Sequence, residues 1–308
     1  MPFLRTAFIA LSHNRPLRRF CENSRLAARF HSRFIAGTTP EDALRVAEQL
    51  NGQWIAVTLD SLGESVTSQV EAQRAADVYD RLLDAIAARD LKANISLKLT
   101  QMGLEQSPSS AESITARLAE HARAVGSFVR VDMEDSHLTQ ITLDIVRRIH
   151  ARAATRGAIG AVIQGYLYRS QADVEQLLAE DIRIRLCKGA YNEPPEVAFP
   201  EKAQVDQNYL KLSRLLLDSS NDHALATHDP AMIDAAKAYA ASRGIARDHF
   251  EFQMLYGVRR DLQQSLAREG YKVRVYVPFG TAWYPYFMRR LAERPANVLF
   301  LARNLFRA

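Results

Sequence analysis

Ile182-Arg183-Ile184-Arg185-Leu186-Cys187 alternates without a break between aliphatic side chains and cationic or thiol ones. Successive side chains of a β-strand point to opposite faces, so Ile182, Ile184 and Leu186 share one side and Arg183, Arg185 and Cys187 the other. The same parity recurs in four further runs. In 93–100, Ile95, Leu97 and Leu99 oppose Asn94, Ser96, Lys98 and Thr100; in 127–134, Val129, Val131 and Met133 oppose Arg130, Asp132 and Glu134. In 250–255, Phe250, Phe252 and Met254 oppose Glu251 and Gln253, and in 272–280 the valines 273, 275 and 277 oppose Arg274 and Tyr276.

Three more short apolar or β-branched runs, 54–60, 158–166 and 224–228, bring the number to eight. Amphipathic helical patterns lie between them at about 64–89, 109–125, 137–155, 170–180, 201–219, 229–242 and 257–269, and another starts at about 282. Eight strands, each followed by a helix, predict an α/β fold of the (β/α)8 TIM-barrel type. Thr39-Pro40-Glu41 reads as a helix start, giving an N-terminal helical arm over 1–50 ahead of a barrel over 51–308. Residues 297–306 read as a terminal packing helix, and no Pro/Gly/Ser-rich linker divides the chain.

Barrel strands send alternate residues to the surrounding helices and to the lumen. The helix side must be apolar, so here the polar side faces inward, where most barrels carry Val, Ile and Leu. Burying so many charges is costly unless they pair or hold a ligand. Arg130, Arg183 and Glu251 fit a structural network near the barrel floor. Lys98, Asp132, Gln164, Arg185, Lys188 and Tyr276 fall near the C-terminal strand ends, where barrel active sites sit.

Tyr286, Arg289, Arg290 and Glu293 fall at i, i+3, i+4 and i+7, one face of a helix, with Phe287, Met288 and Leu291 on the other. Two neighbouring guanidiniums form a planar multi-donor fork suited to a carboxylate or phosphate. Alone, the helix reads first as an amphipathic surface element; beside a charged lumen it reads as a ligand clamp.

The chain has 308 residues, 47% hydrophobic composition and two cysteines, Cys21 and Cys187, without a CxxC. That excludes a disulfide scaffold and a cysteine-built metal centre, and suits a reducing compartment. No run approaches 18 apolar residues, so none predicts a membrane span. Residues 1–33 hold seven arginines, no lysine and one acid, Glu22; this segment carries +6 of a total of +5, leaving −1 for the rest. Such an arm reads either as a folded helix touching an anionic membrane surface or as a mitochondrial transit segment. The near-neutral body argues against nucleic-acid binding. The scattered histidines lack ligand spacing, so no metal is expected.

The ordered motifs Ile95-Ser96-Leu97-Lys98-Leu99, Val131-Asp132-Met133-Glu134, Arg185-Leu186-Cys187-Lys188-Gly189-Ala190-Tyr191, Ala226-Thr227-His228, Glu251-Phe252-Gln253-Met254-Leu255-Tyr256-Gly257 and Tyr276-Val277-Pro278-Phe279-Gly280, with the arginine helix, resemble the proline dehydrogenases. The resemblance spans nearly the whole chain and is to the single-function bacterial type. It implies FAD-dependent oxidation of L-proline to 1-pyrroline-5-carboxylate, the first step of proline breakdown to glutamate, with a membrane quinone as electron acceptor. FAD follows from the resemblance only, since no GxGxxG follows a strand.

Under the resemblance, Arg289, Arg290 and Lys98 bind the substrate carboxylate and Glu293 holds an arginine. Tyr276, Tyr286 and Leu255 wall the ring, and the two tyrosines together crowd C4, favouring proline over hydroxyproline. Asp132 orders the lumen, and Arg185 stabilises charge on the reduced flavin. Met133, Gln164, Cys187, Lys188, Gly189, Ala190, Thr227 and His228 are the implied flavin contacts. Cys187 stands where valine is usual in this motif. A cytoplasmic protein, peripheral at the inner face of the membrane, fits best, with a mitochondrial matrix as the alternative; the sequence fixes no oligomeric state. Two other readings stay open: a Schiff-base aldolase or lyase using Lys98 or Lys188, and a barrel that binds without turnover.

Overall fold

The structure, a computed structural model, describes residues 33–63, 66–191 and 193–293, the side chains of 289–293 excepted. The basic segment up to residue 32 and the expected helix over 297–306 lie outside the described residues.

Eight parallel strands close a barrel in chain order. They are β1 (Ala56–Ser61), β2 (Ala93–Leu97), β3 (Val129–Val131), β4 (Ile159–Gln164), β5 (Arg183–Cys187), β6 (Ala224–Ala226), β7 (Glu251–Leu255) and β8 (Lys272–Phe279). Each expected run overlaps one of them, with β1 reaching one residue beyond its run 54–60. Several strands end earlier than their runs, because the chain turns toward the next helix: after β2, Lys98 O already accepts from Gln101 N–H at 3.1 Å. Lys98, Asp132 and Lys188 therefore stand just past their strands, on the C-terminal rim.

The helices are α1 (Pro40–Asn51), α2 (Gln69–Ala88), α3 (Pro108–Ala124), α4 (Thr139–His150), α5 (Ser170–Ala179), α6 (Lys202–Leu217), α7 (Pro230–Ser242), α8 (Arg260–Arg268) and α9 (Trp283–Glu293). The expected start of α1 is a reciprocal cap: Thr39 Oγ1 accepts from Asp42 N–H at 3.2 Å, and the Asp42 carboxylate accepts from Thr39 N–H at 3.1 Å, with Pro40 opening the helix. Its Ala43, Leu44 and Ala47 join the same apolar core as the barrel wall. The fold is a (β/α)8 barrel with this helical N-terminal extension.

The parity argument holds throughout. Ile95, Leu97, Val129, Val131, Ile184, Leu186, Phe252, Val275 and Val277 are all fully buried between strands and helices. Their sequence neighbours point inward, and the parallel register stacks them in rings, with Asp60 opposite Ser96 and Ser96 opposite Arg130.

The floor of the lumen is held by a network of charges, carbonyls and aromatic faces. Arg274 pairs with Glu251 at 2.8 Å and donates to Val57 O at 2.8 Å. Arg130 donates to the carbonyls of Arg183 (2.6 Å) and Ala161 (3.2 Å), and the Arg183 guanidinium lies 3.9 Å over the Phe128 ring. Burial and the neighbouring charges of Arg185 and Arg183 push the Arg130 pKa down, so backbone carbonyls and aromatic faces do much of the neutralising here. Gly160 makes this possible, because a Cβ there would stand 2.3 Å from Arg183 O and 2.8 Å from Arg130 Nη1.

Candidate functional site

Asp132 is the hub of the upper lumen. Its Oδ1 accepts from Ser96 Oγ at 2.7 Å and from Arg185 Nη1 at 2.9 Å; its Oδ2 accepts from Tyr276 O–H at 2.7 Å and faces Lys98 Nζ at 3.5 Å. Four donors from strands β2, β5 and β8 and the β2 rim thus converge on one carboxylate. Burial alone would raise the Asp132 pKa, but the charges of Lys98 and Arg185 and the hydrogen bonds from Ser96 and Tyr276 outweigh it and hold it below the usual carboxylate range. Burial, reinforced by the charges of Asp132 and Asp60, pushes the Tyr276 hydroxyl well up, so it remains a donor. The Arg185 guanidinium lies 5.2 Å over the Tyr276 ring.

Two further Arg185 nitrogens, Nε and Nη2, are buried without a protein acceptor among the described residues. Buried donors left unpaired cost roughly 1–3 kcal/mol each, so their presence at a strand end fits a ligand that brings electron-rich acceptor atoms.

Asp60 is a site residue that parity reading passed over. It lies at the end of β1, 1% exposed, with Oδ2 3.8 Å from Lys98 Nζ. The signal was available: Thr58 and Asp60 share the polar parity in the run 54–60, and both are fully buried.

The other expected residues line the rim. The Gln164 side chain donates to Glu134 O at 2.9 Å and accepts from Ala190 N–H at 3.4 Å, tying β4 to the loops after β3 and β5. Gly189 has φ +122°, and a Cβ there would overlap the Tyr166 ring at 2.3 Å, so only glycine lets that loop fold against Tyr166. Cys187 donates its S–H to Ile163 O at 3.5 Å, and Met133 is buried. Thr227 Oγ1 accepts from Asp229 N–H at 3.1 Å; His228 Nε2 accepts from Leu255 N–H at 2.9 Å, locking two rim residues together. Lys188 is drawn toward the helices: it pairs with Asp206 of α6 and, at 2.8 Å, with Asp229, the N-cap of α7. Tyr286 is buried beside Phe34, Ile35, Trp283 and Phe287. The helix carrying Arg289, Arg290 and Glu293 forms as expected, while their side chains lie outside the described residues.

Among solved and curated proteins, the chain is similar to a consistent group. A sequence profile described as "Proline dehydrogenase" matches residues 43–303. Proline dehydrogenase 1 of Bacillus subtilis (strain 168) is 41% identical over 307 residues, 99% of each chain. The proline dehydrogenase of Deinococcus radiodurans is 41% identical over 280 residues, 89% of each. The crystal structure of proline utilization A (PutA) from Bdellovibrio bacteriovorus, inactivated by N-propargylglycine, superposes with a TM-score of 0.81 at 26% identity. That match covers 86% of this chain and 32% of the PutA chain, so this chain spans about a third of that protein.

Proposed function

We propose, from the premise that the chain belongs to the proline dehydrogenase family, that it oxidises L-proline to 1-pyrroline-5-carboxylate as the first step of proline breakdown. The observation that carries this reading is the Asp132 hub, which fixes Lys98, Arg185 and Tyr276 around one end of the lumen.

Arg185, Met133, Gln164, the 187–190 segment, Thr227 and His228 would hold FAD, which would supply a two-electron acceptor for hydride, with a membrane quinone as the final oxidant. The unpaired Nε and Nη2 of Arg185 suit the electron-rich edge of a flavin.

The chain's own residues bind, orient and balance charge. Arg289 and Arg290 clamp the substrate carboxylate, Lys98 adds a third cation, and Glu293 steadies an arginine. Leu255, Tyr276 and Tyr286 wall the ring and fix C5 in a reactive orientation. Oxidation removes the C5–H with its electron pair while the nitrogen lone pair closes a C=N bond; the N–H proton then leaves to solvent. The substrate ammonium must therefore lose a proton first. Asp132 already accepts from three hydrogen-bond donors besides facing Lys98, so its role is to hold the cations and Tyr276 in place rather than to take that proton. Lys188, between Asp206 and Asp229, braces the β5 loop against α6 and α7.

The Schiff-base alternative needs a neutral, desolvated amine. Both candidate lysines instead sit between two carboxylates, Lys98 with Asp60 and Asp132, and Lys188 with Asp206 and Asp229. We place the protein in the cytoplasm, peripheral at the inner membrane face, where quinone is accessible; no described helix is long and apolar enough to cross a membrane.

The test is an absorbance spectrum followed by anaerobic addition of L-proline. The expected result is a flavin band near ~450 nm that bleaches with proline and not with other amino acids. A protein that stays colourless when supplied with FAD overturns the reading.

A further inference from the structure

We propose that the floor of the barrel binds a small inorganic anion of the size and charge of chloride, gripped by the Nε–Nη2 edge of Arg130. The site lies at the end of the lumen opposite the proline-oxidation site and does not depend on that reading. Arg130 of β3, Arg183 of β5 and Arg274 of β8 enter the lower lumen together, near enough for the charges of the other two to act on Arg130. The carboxylate among them is Glu251, bound to Arg274 at 2.8 Å. The next acid, Asp222, pairs at 2.9 Å with Lys272 at the N-terminal mouth. His223 stands nearby as neutral imidazole, its pKa pushed down to about 3 by burial. Among the described residues, the floor therefore sets four cations against two carboxylates.

Carbonyls and ring faces offset part of that excess. Arg183 donates to Gly157 O at 2.6 Å, and Arg130 spends its Nη1 on Arg183 O and Ala161 O. Both guanidiniums lie over one ring, Phe128, at 3.9 and 4.8 Å, which draws two like charges together. A carbonyl or a ring carries only partial charge, so a buried cation in excess stays costly until a full negative charge joins it. Arg130 offers the place. It is 4% exposed, its Nε is buried without a hydrogen-bond partner, and its Nη2 has no protein acceptor among the described residues. Nε and Nη2 donate side by side from one edge of the guanidinium, the geometry that grips an anion. A water there satisfies the donors and leaves the charge. Arg183, Glu251 and Arg274 are partly exposed, so the anion enters from the N-terminal face.

The experiment reads thermal unfolding of the full chain as purified, in potassium chloride against potassium gluconate at equal ionic strength. An anion that binds the folded state raises the midpoint along a saturating curve, by roughly 4 °C at a hundredfold excess over Kd. Gluconate should give only the linear response of a bulk salt. Arg130→Lys keeps the charge and a donor for the carbonyls but has no two-donor edge, so its saturating response to chloride should vanish. A linear chloride response matching that of gluconate overturns the inference, and so does an Arg130→Lys variant that responds as the wild type does. If Arg130→Lys does not accumulate, wild-type crystals soaked in bromide decide. An anomalous peak within hydrogen-bonding reach of Arg130 Nε supports the site; bromide at the surface alone, an adventitious ion only, overturns it.

Discussion

At the scale of single residues, the upper lumen turns on one carboxylate, Asp132, which draws four donors together. Tyr276→Phe removes one of the donors to Asp132 while keeping the ring over Arg185. A hydrogen bond to a charged group is worth about 1.5–3 kcal/mol, so kcat/KM for proline should fall at least tenfold with flavin content unchanged. Steady-state kinetics on the purified variant check this. His223 makes a separate prediction about stability. Its Nδ1 accepts from Ile184 N–H at 3.0 Å, and burial pushes its pKa down to about 3. The folded state therefore favours neutral imidazole, while the unfolded chain takes up a proton below about 6.5. Stability is fully present above that pH and declines as pH falls toward 3, by up to about 1.4 kcal/mol per pH unit. His223→Asn, whose side-chain oxygen can still accept from Ile184, should flatten the dependence of the denaturation midpoint between pH 7 and 5. An equal slope in both proteins would show that His223 does not carry it.

At the scale of elements, the loops that roof the lumen are fastened to each other more than to the barrel. Glu193, in the loop after β5, accepts from Ser136 N–H at 2.7 Å and from its hydroxyl, clasping the loop after β3. Tyr168 O–H donates to Pro195 O at 2.8 Å from the loop after β4. Glu193→Ala should loosen the segment 189–200, seen as faster limited proteolysis there and a weaker FAD Kd with the barrel's unfolding midpoint little changed. Gly160→Ala should do the reverse, driving a Cβ into Arg183 O and the Arg130 guanidinium and destabilising the barrel by roughly 1–3 kcal/mol. The barrel was legible because strand parity is local: Ile182 to Cys187 declares its two faces within six residues. The residues on the polar face were legible for the same reason, and Lys98, Asp132, Arg185 and Tyr276 do meet. What parity does not encode is who stands opposite. The pairing of Lys188 with Asp206 and Asp229 depends on how α6 and α7 settle on the barrel. Arg130 goes to carbonyls and Phe128 because Gly160, its register partner on the neighbouring strand β4, opens the space. Asp60 was less legible because the run 54–60 reads as apolar and β-branched, and its polar members Thr58 and Asp60 take on meaning only when the register sets Asp60 beside Ser96.

At the scale of the whole molecule, the barrel encloses buried charge where most barrels enclose hydrocarbon, and its stability should therefore depend on what fills the lumen. The floor is paired largely by the protein itself through Arg274, Glu251 and backbone carbonyls, with Arg130 Nε alone among its guanidinium nitrogens buried without a hydrogen-bond partner among the described residues. At the top, Arg185 keeps two buried donors without protein acceptors among the described residues. A ligand that accepts from them binds the folded state alone and raises stability by mass action, about 2.7 kcal/mol at a hundredfold excess over Kd. For a chain of this size that corresponds to an unfolding midpoint raised by roughly 4 °C. Arg185→Met replaces the guanidinium with an apolar chain of similar length, removing both the orphaned donors and the pair with Asp132. The variant should accordingly gain much less from the same FAD concentration than the wild type does. Thermal unfolding with and without FAD, at one protein concentration, checks both halves. A wild-type midpoint indifferent to FAD would mean that the unfilled donors at the top of the lumen answer to some other ligand.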